Sequence, residues 1–98
     1  MAHRLAPEAI DDLGSIWSYV ADHAASVDIA DRLIESLTQR FALLASYPYM
    51  GRSRNDLRPG RRSFPVGEYV ILYRVDGGDV HVLHVIHGHR DIEALVIP

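Results

Sequence analysis

The sequence predicts an α+β fold over residues 1–98, read as a single domain: an N-terminal strand, an antiparallel helical hairpin, then a three-stranded antiparallel β-meander. Three observations carry this expectation. Two apolar runs, residues 69–75 and 80–86, flank Asp76-Gly77-Gly78-Asp79. Their β-branched and aromatic residues suit strands, and the Gly-Gly pair supplies the positive φ of a tight hairpin turn. Upstream, apolar residues recur at three- and four-residue spacing through two long stretches, separated only by residues 24–27. A link that short makes the two helices antiparallel neighbours.

Taken in order, residues 3–6 form a short strand. Pro7 fits the first turn of a helix, where its missing N–H costs nothing, and Glu8, Asp11 and Asp12 complement the positive end of the helix dipole. Ala9, Leu13, Ile16, Trp17 and Val20 give that helix one apolar face, predicting a run from Pro7 to His23. Ser26 or Asp28 caps a second helix whose apolar positions run from Ala30 through Leu37 and Phe41 to Ala45. Tyr47-Pro48 stops it. A loop then runs from Tyr49 through Asp56. The first meander strand is expected over 57–66, and Pro59-Gly60 and Pro65 suit an edge or bulged strand, not a central one. Strands over 68–75 and 80–87 follow, and residues 92–97 close the chain as a helical turn or terminal strand. Strand 80–86 is apolar on both faces, Val80, Val82 and Ile86 alternating with Leu83 and Val85. A helical hairpin covers one face of a sheet, so the other is expected to be closed by the C-terminus or by a partner chain.

Composition excludes several classes. There is no cysteine, hence no disulfide framework and no thiolate zinc site. The start, Met1-Ala2-His3-Arg4, does not read as a signal peptide and no apolar run is long enough to cross a bilayer, so the expectation is a cytoplasmic domain without membrane contact. Net charge is −3, unevenly placed. Residues 1–50 carry three Arg against seven acids; residues 51–74 carry six Arg against Asp56 and Glu68. A basic segment on a mildly acidic chain points to a local anionic partner, not to general nucleic-acid affinity.

Individual residues narrow this further. His84, His87 and His89 match no zinc-helix spacing, and strand alternation sets His84 and His87 on opposite faces, so no metal and no cofactor is expected. Five Arg in eleven residues (52, 54, 58, 61, 62) read as a carboxylate-binding cluster, because guanidinium groups take carboxylates bidentately. Arg90-Asp91 reads both as an ion pair tying the strand end to a helix and as a target contact. Trp17, Tyr69 and Tyr73 read as core aromatics. Gly77-Gly78 is turn chemistry, with no helix following to make a phosphate loop.

Four motifs, in this order and spacing, span nearly the whole chain: Ala9-x-x-Asp12-Leu13-x-x-Ile16-Trp17-x-Tyr19, Pro48-x-x-Gly51-Arg52, Tyr69-x-Ile71-x-Tyr73-Arg74 and His87-Gly88-His89-Arg90-Asp91. Together they resemble the RelE/ParE toxin superfamily, closest to its ParE branch. The resemblance implies a type II toxin, neutralised by a cognate antitoxin in a hetero-oligomer, that inhibits DNA gyrase by protein–protein contact and does not bind DNA directly without the antitoxin. On that reading Arg58, Arg61, Arg62, Arg90 and Asp91 contact antitoxin or target. The alternative within the superfamily is a RelE-like, ribosome-dependent mRNA endoribonuclease. Cleavage through the 2′-hydroxyl needs a base, cations for the transition state and an acid. Arg90 falls where RelE-like enzymes place a strand-end Arg, but Val96 and Val66 stand at positions expected to carry a Tyr and a second Arg. A nuclease built on this chain would rely on Arg90 with His87 and His89 as acid and base.

Overall fold

The computed structural model describes residues 2–88; His89, Arg90, Asp91 and the expected closing segment 92–97 lie outside the described residues. In chain order the elements are β1 (His3–Leu5), α1 (Pro7–His23), α2 (Val27–Ser46), β2 (Arg52–Ser53), β3 (Arg62–Val66), β4 (Tyr69–Asp76) and β5 (Asp79–His87). The strands form one sheet in the order β1-β5-β4-β3-β2. The meander β3-β4-β5 is antiparallel, as expected, while β1 adds to β5 in parallel and makes the sheet mixed.

The helices fall where the periodicity puts them. Pro7 opens α1, and the Ala6 carbonyl accepts from Ala9 N–H (3.0 Å) and Ile10 N–H (3.2 Å), so the first turn closes without a side-chain cap. Of the two candidate caps for α2, Ser26 takes the role: its Oγ accepts from Ile29 N–H at 3.2 Å. Ala25 adopts φ of 50° to reverse the chain in so short a link. Trp17 Nε1 donates to Asp31 Oδ1 at 2.8 Å and ties one helix to the other. Ala9 and Ile16 of α1 and Leu37, Phe41 and Leu44 of α2 pack on one face of the sheet, against Ile71, Tyr73, Val80, Val82 and Val85.

Two strand details differ from the sequence reading. Where a strand over 57–66 was expected, regular pairing is confined to Arg62–Val66, and the loop before it contains β2. Residues 54–61 form the long loop of the β2–β3 hairpin, closed by Arg54 N–H to the Arg61 carbonyl (2.7 Å) and by Gly60 N–H to Asn55 Oδ1 (3.0 Å). Gly60 has φ of 79°, a turn conformation that ends any extended run there. Pro65 lies beyond the two residues of β3 that β2 pairs, on the open edge that its missing N–H tolerates. The second detail is a bulge. Leu72 pairs with His84 but Tyr73 pairs with Val82, leaving Leu83 as the extra residue of β5. The bulge shifts the alternation, so Val80, Val82 and Val85 all face the helices while Leu83 and Ile86 are only half-buried.

Gly51 and Tyr73 join the end of α2 to the sheet. Tyr73 is fully buried; its hydroxyl donates to the Pro48 carbonyl at 2.8 Å and accepts from Gly51 N–H at 2.9 Å. Arg62, opposite Tyr73 in the ladder, donates through Nη2 to the carbonyls of Gly51 (2.8 Å) and Tyr49 (3.1 Å), with its guanidinium 5.3 Å from the centre of the Tyr49 ring. A Cβ at position 51 would lie 2.8 Å from the Ser63 carbonyl and collide with the Tyr73 ring. Gly51→Ala is therefore expected to destabilise the fold by about 1–3 kcal/mol through overpacking. Tyr73→Phe should cost a similar about 1–3 kcal/mol by orphaning a buried N–H. Urea unfolding of both variants checks this; a midpoint unchanged in either would refute the corresponding contact as a support of the fold.

Candidate interaction site on the outer sheet face

The sheet face away from the helices carries Leu72 and His84, paired across β4 and β5, with Leu83 bulged beside them. Among the described residues the edge of β5 past Val82 has no strand partner, because β1 pairs only with Val80, His81 and Val82. Asp12 of α1 occupies that edge. Its Oδ2 accepts from Val85 N–H (3.0 Å) and also bonds His84 Nδ1 (3.0 Å). A carboxylate thus satisfies a backbone donor the bulge would leave bare and fixes an imidazole in the same contact.

The 54–61 loop brings Leu57, Arg58 and Arg61 over this face. Together with Leu72, Leu83 and His84, and with Ala6 and Glu8 from the start of α1, they line an open groove of about 330 Å³. Arg58 is exposed and Arg61 half-buried, and among the described residues neither guanidinium has an ion-pair or hydrogen-bond partner. Arg54 differs. It forks onto Asp56 through Nε (3.0 Å) and Nη2 (2.9 Å), and these hydrogen bonds hold the exposed Asp56 carboxyl below its ordinary value and raise the Arg54 guanidinium. Arg62 is spent on the 49–51 carbonyls.

The sequence-predicted residues are therefore not one cluster. Arg58 and Arg61 share the groove; Arg62 sits on the other face of the sheet, beneath the end of α2. His87 lies edge-on to Tyr69, ring centres 5.6 Å apart, away from the groove. Burial, then the nearby Glu68 and Tyr19, raises the Tyr69 phenol. His89, Arg90 and Asp91 lie outside the described residues. The Asp12–His84 contact was missed by sequence reasoning, which gave Asp12 to the helix dipole. Its signal was the acid inside the Ala9-x-x-Asp12-Leu13 pattern, three residues after Ala9 and four before Ile16 and so at the margin of the apolar stripe itself.

The family model described as ParE toxin of type II toxin-antitoxin system, parDE, matches residues 4–92. The chain belongs to the ParE toxin family. Among the relatives it resembles, Toxin ParE3 of Caulobacter vibrioides is 34% identical over 83 residues, spanning 85% of this chain and 82% of that one. Toxin ParE1 of Mycobacterium tuberculosis is 32% identical over 90 residues, 91% of each chain. A solved chain described as the chromosomal ParDE TA system from P. aeruginosa shares the fold, with a TM-score of 0.78 over 91% of this chain and 97% of that one at 18% identity. The motifs that carried the resemblance to the ParE branch now have physical roles: Asp12 seals the β5 edge, and Gly51 and Tyr73 join the end of α2 to the sheet. No described helix of this ParE-family chain is long and apolar enough to cross a membrane.

Two outcomes follow from these contacts. Asp12→Ala should destabilise the fold by about 1–3 kcal/mol, because Val85 N–H and His84 both lose their acceptor, and Asp12→Asn, whose amide oxygen still accepts one bond, should lose less; chemical denaturation separates them. Asp56 should titrate below an ordinary carboxylate in an NMR pH series, and Arg54→Ala should return it upward. A lowered folded value means that its small stabilisation is present above the ordinary carboxylate range and lost as pH falls through the lowered one. An Asp56 midpoint indifferent to Arg54→Ala would contradict the pair.

Proposed function

We propose that this ParE-family chain is a toxin that inhibits DNA gyrase by protein–protein contact and is held inactive by a cognate antitoxin, the two forming a cytoplasmic hetero-oligomer. Membership of the ParE family over residues 4–92 carries this reading. The outer face supports a protein partner of mixed character: Leu57, Leu72 and Leu83 supply apolar contact, and Arg58 and Arg61 are placed for partner carboxylates. Arg62 acts indirectly, by holding the 49–51 segment from which the basic loop departs. Arg90 and Asp91 complete the proposed contact residues. The toxin itself makes no direct DNA contact in this reading.

Expression without antitoxin should block gyrase supercoiling and leave ribosome-bound mRNA intact, read by a supercoiling assay beside primer extension on mRNA from induced cells. His87→Ala and His89→Ala should stay toxic. Codon-positioned mRNA cleavage that vanishes in either His variant, with normal supercoiling, would instead establish the RelE-like ribonuclease.

Antitoxin affinity tests the groove separately. Arg58→Ala with Arg61→Ala should weaken the complex most at low salt, exposed pairs being worth about 0.2–1 kcal/mol each and desolvated ones more. Calorimetry across a salt series that shows no change in the double variant would remove these two residues from the interface.

A further inference from the structure

Exposed apolar surface is concentrated where α2 ends. Of the eight large hydrophobic side chains exposed among the described residues, four fall within residues 43–50: Leu43, Tyr47, Tyr49 and Met50. With Ser46 and Pro48 they line one shallow, almost wholly apolar depression. Tyr47 is 62% exposed and Tyr49 70%, so two aromatic rings stand together in water, where apolar residues scattered singly are the rule. The turn that presents them is fixed from beneath. Met50 N–H donates to the Tyr47 carbonyl (3.0 Å), the buried Tyr73 hydroxyl donates to the Pro48 carbonyl (2.8 Å), and Arg62 Nη2 donates to the Tyr49 carbonyl (3.1 Å). Aromatic rings on a backbone already held in place lose little freedom on binding, which is the property of interface anchors.

Charge says what kind of partner fits. No Asp or Glu occurs between Glu35 and Asp56. The cations beside the patch are Arg40, three residues before Leu43 on α2, and Arg62, whose guanidinium lies 5.3 Å from the centre of the Tyr49 ring. Arg62 bonds carbonyls, which leave its charge intact, and among the described residues neither Arg is paired with a carboxylate. Two copies meeting through this patch would set Arg against Arg. An anionic membrane is opposed by the net charge of −3. We propose that the end of α2 is a docking surface for an acidic amphipathic segment of another protein, with its apolar side chains on Leu43, Tyr47, Tyr49 and Met50 and its carboxylates against Arg40 and Arg62. The patch shares no residue with the outer groove and lies on the helix side of the sheet, so occupancy of one surface leaves the other open. The proposal rests on the reading of this chain as one that works through protein contacts, but not on gyrase as the target.

The probe is a synthetic helical peptide of about 18 residues with Leu and Phe at i, i+3, i+4 and i+7 and Glu elsewhere, beside a twin in which Lys replaces Glu. Titrated into the full chain, the acidic peptide should shift the NMR signals of the Met50 methyl and the Tyr47 and Tyr49 rings. Read at those signals, it should bind about tenfold or more tightly than the Lys twin at low salt, the difference shrinking as salt rises. Tyr47→Ala with Tyr49→Ala should lose about tenfold or more. Ser46→Glu keeps both rings and adds an acid to the patch, so it should weaken the acidic peptide and strengthen the Lys twin, a reversal that misfolding cannot imitate. Arg58→Ala with Arg61→Ala should leave the affinity unchanged, which separates this surface from the outer groove. The assay contains neither gyrase nor antitoxin, so its failure and that of the gyrase reading are told apart. No shift at millimolar peptide, equal affinity for the twins at these signals, or affinity indifferent to the double Tyr variant would each overturn the proposal. So would self-association or binding to phosphatidylglycerol vesicles that depends on Tyr47 and Tyr49, or peptide binding seen only after residues 89–98 are removed.

Discussion

The buried Tyr73 hydroxyl is the constraint on which the basic half of the fold depends. A phenol with no exposed surface must have its oxygen satisfied from within, and here the partners are the Pro48 carbonyl and Gly51 N–H. Both belong to the segment where α2 ends and the chain turns toward β2. Position 51 must be glycine for that approach, because a side chain there would occupy the Tyr73 ring and press on Ser63. Arg62 closes the arrangement from the neighbouring strand by bonding the same segment's carbonyls. One contact thus joins helix, loop and sheet, and it fixes where the 54–61 loop leaves the core.

That geometry sorts five of the six arginines of residues 51–74 into different tasks. Arg62 is a structural donor, Arg54 is paired with Asp56, and Arg74 with Asp76 at 3.1 Å. Arg58 and Arg61 remain for something outside the described residues. A run of like charge in the sequence is therefore not a uniform patch in space. The local surplus of cations is real, but half of the arginines serve the fold, and the surface reads as a groove with two guanidinium groups over an apolar floor.

The sequence reading succeeded where local chemistry is sufficient and fell short where long-range contacts decide. Pro7, Ser26 and Tyr47-Pro48 mark helix limits through backbone geometry alone, and the structure keeps them. Asp76-Gly77-Gly78-Asp79 specifies its turn in the same way, with both glycines at positive φ. The strand expected over 57–66 begins only at Arg62, because Pro59-Gly60 is turn chemistry and the Arg54–Arg61 and Asn55–Gly60 bonds hold residues 54–61 in a loop. The bulge at Leu83 was invisible for another reason. Val80, Val82, Leu83, Val85 and Ile86 are all apolar, so their pattern does not reveal where the register slips. Asp12 was legible as an acid near a helix start, but not as the partner of a strand 72 residues away.

The same bulge links the fold to its surface. Without it, regular alternation from Val82 would turn Val85 away from the helices and leave a hole beside Ile71, its ladder partner. Inserting Leu83 keeps Val85 in the core, but exposes an unpaired N–H on the β5 edge, and that donor calls for an acceptor from α1. Asp12 supplies it and captures His84 with the same oxygen. The orientation of the His84 imidazole is therefore a consequence of how the core is filled. At the sheet margins, β1 and β2 contribute only three and two residues, Asp12 closes the stretch beyond β1, and Pro65 interrupts the one beyond β2. Short and interrupted edges give little to a strand-adding partner. The outer face, more than either edge, has what a ligand or partner of mixed apolar and anionic character requires.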